Sequence, residues 1–412
     1  MISANERQVN PADLIIGMYV SNIDRPWLES PFAFQGFLIK SQEDIDLIKQ
    51  SCSYVFVDPN RGVSPTHLDN CKFHHRPITN KHELTLEELT RHSKDHNAPT
   101  AEEKDVARNI YAAMERAFAA LSADIEAGNK LQITNVSNTL KPMIASVSIN
   151  PDALLQRVML SGRKATFASA AIAATVLATA IGRRINLSEK ELLLLATGAF
   201  LYDIGKLKLP HEMLAQPRQL TPAEFKVMKS HVQEGVDLIN KGLGANPLIV
   251  SMAQHHHERF NGSGYPASLK GDDIPLFARI AAIVDCFSAI ISNRNHAKAM
   301  APYHAALKLY EWRNADFDPK LVEQLIQVIG VYPIGTLVEL TTGEVAVVIA
   351  HNRAQRLRPI VALLLNANKQ PNATAIEIDL SHAYKNSNGT VVGIKKALPE
   401  KSYEIDLGKI KL

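Results

Sequence analysis

Cysteine is nearly missing from this chain. Cys52, Cys71 and Cys286 stand far apart, too few and too scattered for a disulfide framework or a CxxC metal knuckle. A reducing cytoplasm is the expected setting. Net charge is scarce as well, at +3 over 412 residues, which gives no electrostatic reason to expect a nucleic-acid partner. No run has the character of a bilayer span. The nearest, residues 165–182, reads ATFASAAIAATVLATAIG and is 18 residues long, but Ala, Ser and Thr fill it where Leu and Phe would be needed. That composition suits a buried helix packed closely through small side chains, and no direct membrane span is expected. The opening MISANERQVN has no apolar centre of a signal peptide. There is no convincing internal repeat and no receiver-like Asp/Lys arrangement that would support control by phosphorylation.

What is present is a folded, soluble composition, 46% hydrophobic and 21% charged. A chain of 412 residues exceeds a typical single core, so two or three domains are expected. Residues 1–95 mix short apolar runs, LIIGMYV and YVFVD, with a helical stretch at 41–50 whose acidic residues sit near its start. They read as a small α+β regulatory or interaction module. In it, Trp27 and the LESPFAFQG segment make either a contact surface or the module's own core. Residues 96–149 read as a linker and helical connection, entered through RHSKDHNAPTAEEKD and turning helical from about 101 to 125. Helical spacing dominates 150–330. From 331 to 412 the period becomes that of strands, with TLVEL, EVAVVIA and RPIVALLL separated by turns. This part is expected to be a separate β-rich extension.

The candidate chemistry lies in the middle. Asp203, His231, His256, His257 and Asp285 are mostly far more than a helical turn apart, so only tertiary folding can gather them. One carboxylate and three imidazoles can hold a first-row divalent metal, and a second carboxylate can bind another ion or orient a ligand. Ordinary surface and capping histidines are the alternative reading. His255, His256 and His257 cannot share one helix face, because consecutive positions differ by about 100 degrees. One of them is expected to be exposed or to sit at a helix end.

Four segments carry a resemblance: YDIGKLKLP at 202–210, HVQEGVDLI at 231–239, HHERFNGSGYPASLKGDDIPLFARIAAIVD at 256–285, and NRNHAKA at 293–299. Together, in this order, they resemble the HD-GYP family of metal-dependent phosphohydrolases, whose active members hydrolyse the bacterial second messenger cyclic di-GMP. The resemblance covers about 150–330. It extends outward, since GMYVSNIDRPWLESPFAFQGFLIKS resembles the N-terminal regulatory module of one branch and VYPIGTLVELTTGEVAVVIAHN that branch's C-terminal extension.

The resemblance implies a mostly α-helical HD-type domain around a metal centre. In it Asp203 corresponds to the metal-bridging aspartate, His231, His256 and His257 to histidines on one side, and Asp285 to an aspartate on the other. Lys206, with Asp203 a candidate catalytic residue, matches a lysine that contacts the scissile phosphate, where a cation stabilises developing charge. Arg259, Arg294 and Lys298 are candidate phosphate contacts, or else surface cations in solvent or in salt bridges. Gly264, Tyr265 and Pro266 form the motif turn, implicated in recognition and protein contact.

Departures gather at the metal centre. Tyr202 replaces the HD histidine, and a phenol is a strong ligand only when deprotonated. Thr166 aligns with an upstream histidine, Gly162 near a glutamate, Asn261 with the aspartate of the DG segment, and Ser288 with a second aspartate after Asp285. Asn295 and His296 replace Pro and Tyr, and Gln216-Pro217-Arg218 stands where Lys-Pro-Gly is common. The expectation is therefore one iron or manganese ion rather than a two-metal centre, and weak or no hydrolysis of cyclic di-GMP with nucleotide or protein binding retained. The alternatives are an active phosphodiesterase releasing pGpG or GMP, and a noncatalytic interaction scaffold. Expected partners are cyclic di-GMP and a signalling protein or a second copy of the chain.

Overall fold

The computed structural model describes residues 7–24, 37–39, 41–58, 62, 99–160, 166–216, 218–292, 299–352, 355–381, 392–399, 402–403 and 405. The chain divides into two compact units, Met1–Lys94 and Asp95–Leu412. Trp27 and the segment after it lie outside the described residues.

In the first unit, strands β1 (Arg7–Val9), β2 (Tyr19–Ile23), β3 (Phe37–Leu38) and β4 (Val55–Val57) form an antiparallel sheet in the order β1-β4-β2-β3. Helix α1 (Gln42–Ser51) starts at Ser41, whose hydroxyl accepts from the Asp44 amide while the Asp44 carboxylate accepts from the Ser41 amide. Such reciprocal capping satisfies donors that a helix start otherwise leaves open. Ile45 and Ile48 of α1 pack with Met18, Val20, Ile39, Val55 and Val57 into one core.

The second unit is helical through residue 329. It contains α2 (Ala101–Glu126), α3 (Ile133–Ile149), α4 (Pro151–Leu160), α5 (Phe167–Arg184), α6 (Glu189–Leu201), α7 (His211–Leu214), α8 (Pro222–Lys229), α9 (His231–Lys241), α10 (Pro247–His255), α11 (Leu276–Ile290), α12 (Pro302–Trp312) and α13 (Pro319–Ile329). Thr100, Thr166, Ser188 and Thr221 each close a capping box at the start of α2, α5, α6 and α8. On α2, Ala107, Ile110, Tyr111, Met114, Phe118, Leu121 and Ile125 are buried, the spacing of a single core-facing stripe. The Ala-rich stretch is α5, buried continuously from Ala171 to Gly182. A Cβ at Gly182 would lie 2.6 Å from Leu195 of α6, so the small residues set how near these helices come. Among the described residues no helix is long and apolar enough to cross a membrane.

The C-terminal strands β5 (Leu337–Leu340), β6 (Val345–Ala350), β7 (Ile360–Leu365), β8 (Pro371–Asp379) and β9 (Ile394–Ala397) form an antiparallel sheet in the order β8-β7-β6-β5-β9. Alternate residues of β6 enter different cores: Val345, Val347 and Ile349 one, Ala346 and Val348 the other. Both faces of the sheet are covered, which is why β6 is apolar at every position. The sheet is the β-rich C-terminal extension read from the strand periodicity, and it lies in the same compact unit as the helices. Leu160 of α4 packs against one of its cores. Polar fastenings add direction: Gln156 donates to the Ile349 carbonyl at 3.2 Å, and the buried Asp152 carboxylate accepts from the His351 amide at 2.8 Å and meets His351 Nδ1 at 3.2 Å.

Replacing Asp152 by Ala leaves the His351 amide without this acceptor, a loss of about 1–3 kcal/mol. We expect an earlier urea midpoint for Asp152→Ala, measured by fluorescence on the full chain. An unchanged midpoint would mean that the sheet is anchored by its apolar contacts alone.

Candidate metal centre

Close backbone approach builds the site. Helix α6 ends at Leu201, Tyr202 closes it by donating its amide to the Gly198 carbonyl at 2.8 Å, and Asp203 begins a 3-10 turn, Ile204–Lys208. A Cβ on Gly205 would lie 2.0 Å from the His231 carbonyl oxygen and 2.4 Å from the Gly235 amide nitrogen. Only glycine lets this turn press onto α9 and bring Asp203 to His231. The third segment arrives because α10 stops at His255. His256 caps the helix and His257 follows in the turn, and their rings sit with centroids 4.1 Å apart. His255 stays behind at the helix end, its Nδ1 3.7 Å from Glu258.

One ligand atom from each of Asp203, His231, His256 and His257 lies within 4.8 Å of the others. His231 Nε2 is 3.3 Å from His256 Nε2 and 3.2 Å from His257 Nε2, and Asp203 Oδ1 is 3.3 Å and 3.4 Å from the first two. The opposite nitrogens of His231 and His256 face main-chain carbonyls, Met228 at 2.6 Å and Ala253 at 2.8 Å. These bonds assign the protons to Nδ1 and turn the Nε2 lone pairs inward. Asp203 Oδ1 is buried and has no hydrogen bond of good geometry. Converging lone pairs beside an orphaned carboxylate oxygen repel one another unless a cation lies between them, and three nitrogens with one oxygen suit a first-row divalent ion. The residues present therefore fit a metal.

Electrostatics keep the ligands deprotonated. Burial would raise the Asp203 carboxyl, but the Lys206 ammonium beside it holds it well below the usual carboxylate range. Lys206 Nζ is ion-paired to Asp203 Oδ2, the oxygen turned away from the histidines. Burial, followed by the neighbouring His256, holds His257 well below the ordinary histidine value, so it is neutral and free to ligate.

Asp285, on α11, is not in this group of four. The Tyr202 hydroxyl donates to Asp285 Oδ1 at 3.2 Å, and the Tyr202 ring lies 4.7 Å from that of His256. The phenol thus stands between the cluster and the second carboxylate as a hydrogen-bond donor. Ser288, one turn on from Asp285, is buried with its hydroxyl unpartnered among the described residues. Thr166 is occupied as the cap of α5, bonded to Ser169, and the Asn261 carboxamide accepts from the Ser263 amide at 2.9 Å. Of the candidate phosphate contacts, Arg259 donates to the Glu258 carbonyl at 3.0 Å and lies over the Phe317 ring at 5.3 Å. Arg218 is held in a fork by Glu224, both bonds 2.8 Å. Gly162, Pro217, Arg294, Asn295, His296 and Lys298 lie outside the described residues.

The Gly264-Tyr265-Pro266 turn is folded back by a residue that no motif of the sequence singled out. Glu258 is buried and accepts from the Ala267 amide at 2.7 Å and the Leu269 amide at 3.1 Å. Its only signal in the sequence is a carboxylate next to the histidines and just before a glycine-rich turn. A Cβ on Gly264 would meet the Arg259 nitrogen at 2.3 Å, so glycine is required there. Tyr265, joined to Pro266 by a cis peptide bond, stacks on His257 with centroids 4.7 Å apart. Burial and then the charges of Asp203 and Asp285 raise its phenol far above the ordinary value, which keeps it protonated. Lys229 Nζ lies over the Tyr265 ring at 4.6 Å and the Phe225 ring at 5.0 Å.

A helical domain that gathers one aspartate and three histidines from three segments defines the class, and comparison with known proteins gives the same class. Residues 139–321 match the HD domain family, residues 6–136 a domain of unknown function (DUF3391), and residues 337–406 the KOW domain associated with HD domain. The chain is 28% identical over 95% of its length, and 92% of the other's, to the cyclic di-GMP phosphodiesterase PA4108 of Pseudomonas aeruginosa. It is 38% identical to the cyclic di-GMP phosphodiesterase response regulator RpfG of Xanthomonas campestris, over 36% of this chain and 39% of that one. A solved HD-GYP protein of Bdellovibrio bacteriovorus, Bd1817, aligns over 78% of this chain and 98% of its own at 14% identity, with a TM-score of 0.46. Residues 139–321 are thus an HD domain, in a chain whose likeness to a cyclic di-GMP phosphodiesterase runs along nearly its whole length.

Gly205→Ala tests the geometry while keeping every ligand. The added methyl overlaps the His231 carbonyl, so we expect a stability loss of about 1–3 kcal/mol and a clear fall in iron or manganese retained by the purified chain, measured by elemental analysis. Full metal retention would show that the pressing of the turn onto α9 does not hold the cluster together.

Proposed function

We propose that this chain is a signalling protein that binds cyclic di-GMP at a one-metal centre and hydrolyses it weakly or not at all. The observation that carries this reading is the hydrogen bond from Tyr202 to Asp285. Four ligands converge on one point, while the carboxylate expected on the other side is engaged by a neutral phenol. Ligation by Asp203, His231, His256 and His257 would supply an ion able to polarise a phosphoryl oxygen and lower the pKa of a bound water. Lys206, half-buried beside Asp203, presents positive charge where a phosphodiester would meet the cluster. Tyr265 and Pro266 close one side of the site over His257. Two-metal hydrolysis divides activation of the nucleophile and stabilisation of the phosphoryl oxygens between two ions, and the bonded Tyr202 and Asp285 do not supply a second set of ligands. The cyclic di-GMP assignment draws on the relatives, PA4108 in particular, since it matches along nearly the whole chain.

A second reading, an active metal-dependent phosphodiesterase, is favoured by that same full-length likeness and by the intact Asp203–Lys206 pair. Turnover and binding separate the two. With iron or manganese supplied, we expect at most one strongly held ion per chain, calorimetric binding of cyclic di-GMP, and little linear pGpG or GMP. Rapid metal-dependent formation of those products, abolished by Asp203→Ala, would establish the second reading. Two well-occupied adjacent ions would overturn the one-metal centre, and neither binding nor turnover would leave an interaction scaffold.

A further inference from the structure

Helix α8 lies against the site, yet none of its side chains is buried. Phe225 is 47% exposed, a large aromatic left open to solvent. Lys229, the last residue of α8, stands two positions before His231. Its ammonium lies over the rings of Phe225 and Tyr265, at 5.0 Å and 4.6 Å, and Tyr265 in turn stacks on His257 at 4.7 Å. A column of His257, Tyr265, Lys229 and Phe225 therefore leads from the metal cluster to solvent.

Among the described residues, three other cations near the site are already engaged: Lys206 with Asp203, Arg218 with Glu224, and Arg259 over Phe317. Lys229 is exposed and, among the described residues, has no carboxylate partner. A lysine normally keeps its four-carbon stem free and loses entropy when it is fixed on a ligand. Here two aromatic faces hold the head group in place by cation–π attraction, so much of that loss occurs on folding. What remains is a compact positive charge with N–H donors, set about two ring spacings from His257.

Resting on the reading that the site takes a cyclic dinucleotide, we propose that Lys229 binds the second, non-reacting phosphate while the first lies at Lys206 and the cluster. Such a ligand carries two phosphodiester anions. If one sits beside Lys206, the other reaches outward and needs a cation away from the centre. Phe225 acts as a positioning residue, holding the ammonium from the solvent side.

The experiment is calorimetric titration of the full chain, with its metal content measured, against cyclic di-GMP and against GMP, which carries a single phosphate. Lys229→Gln is expected to weaken cyclic di-GMP about tenfold, the scale of one charge-assisted hydrogen bond, and to leave GMP within about twofold. Lys229→Arg keeps the charge and is expected to stay within about threefold of the unaltered chain, and Phe225→Ala to weaken only the dinucleotide. Metal content should be the same in all variants. Cyclic di-GMP affinity unchanged in Lys229→Gln would overturn this assignment while leaving the binding reading intact. Equal losses for both ligands, or lost metal, would overturn it as general damage to the site. If the unaltered chain binds no cyclic di-GMP, the binding reading fails and this assignment fails with it.

Discussion

Three imidazole nitrogens and a carboxylate oxygen converge on one point, two of the imidazoles fully buried, and the rest of the domain is arranged around that constraint. Each group carries a lone pair, so their approach to 3.2–3.4 Å is unfavourable without a cation between them. The chain holds them there from behind. Met228 and Ala253 carbonyls anchor His231 and His256, Lys206 anchors the far oxygen of Asp203, and Tyr265 lies flat on His257. Gly205 removes the one side chain that would keep the first segment away from the second. Preorganisation of this kind is what makes a ligand set selective, because the supporting bonds fix tautomer and direction before an ion arrives.

The same economy explains the other half of the site. A phenol in place of an imidazole brings a hydrogen-bond donor where a lone pair is expected. A donor next to a carboxylate makes a hydrogen bond rather than an ion site, and that is the relation of Tyr202 to Asp285. Ser288, buried and with its hydroxyl unpartnered among the described residues, lies one helical turn further along α11. Four ligand atoms thus gather at one point, while Tyr202 and Asp285 face each other through a hydrogen bond. The motif turn is held by Glu258, whose two carboxylate oxygens each accept a main-chain amide.

Further from the centre, the C-terminal sheet shows how polar groups give direction to apolar packing. Leu160 and the alternating residues of β6 supply burial without orientation. The Asp152 carboxylate, accepting from the main chain at His351, and Gln156, donating to Ile349, fix which end of the sheet meets α4. The β-rich extension that strand periodicity marked out is thereby fastened to the helices before it.

Features that depend on near neighbours in the chain were legible from the residues themselves. The strands from 337 onward follow from period and turns, the Ala-rich helix from its composition, and the helix from 101 from spacing and its charged start. Asp203, His231, His256 and His257 were found by motif, and their spacing required that folding gather them. Other features were decided only by packing, because they join residues far apart in sequence. No local pattern says that α10 ends at His255 and so frees the next two histidines, or that Tyr202 reaches Asp285 on a helix 83 residues away. Nor does any local pattern show that Glu258 folds the turn or that Lys229 settles between two rings. Local chemistry sets caps, periods and candidate ligands. Which lone pair faces which proton is determined when distant backbones meet, and here they meet at Gly205 and Gly264, where a single Cβ would keep them apart.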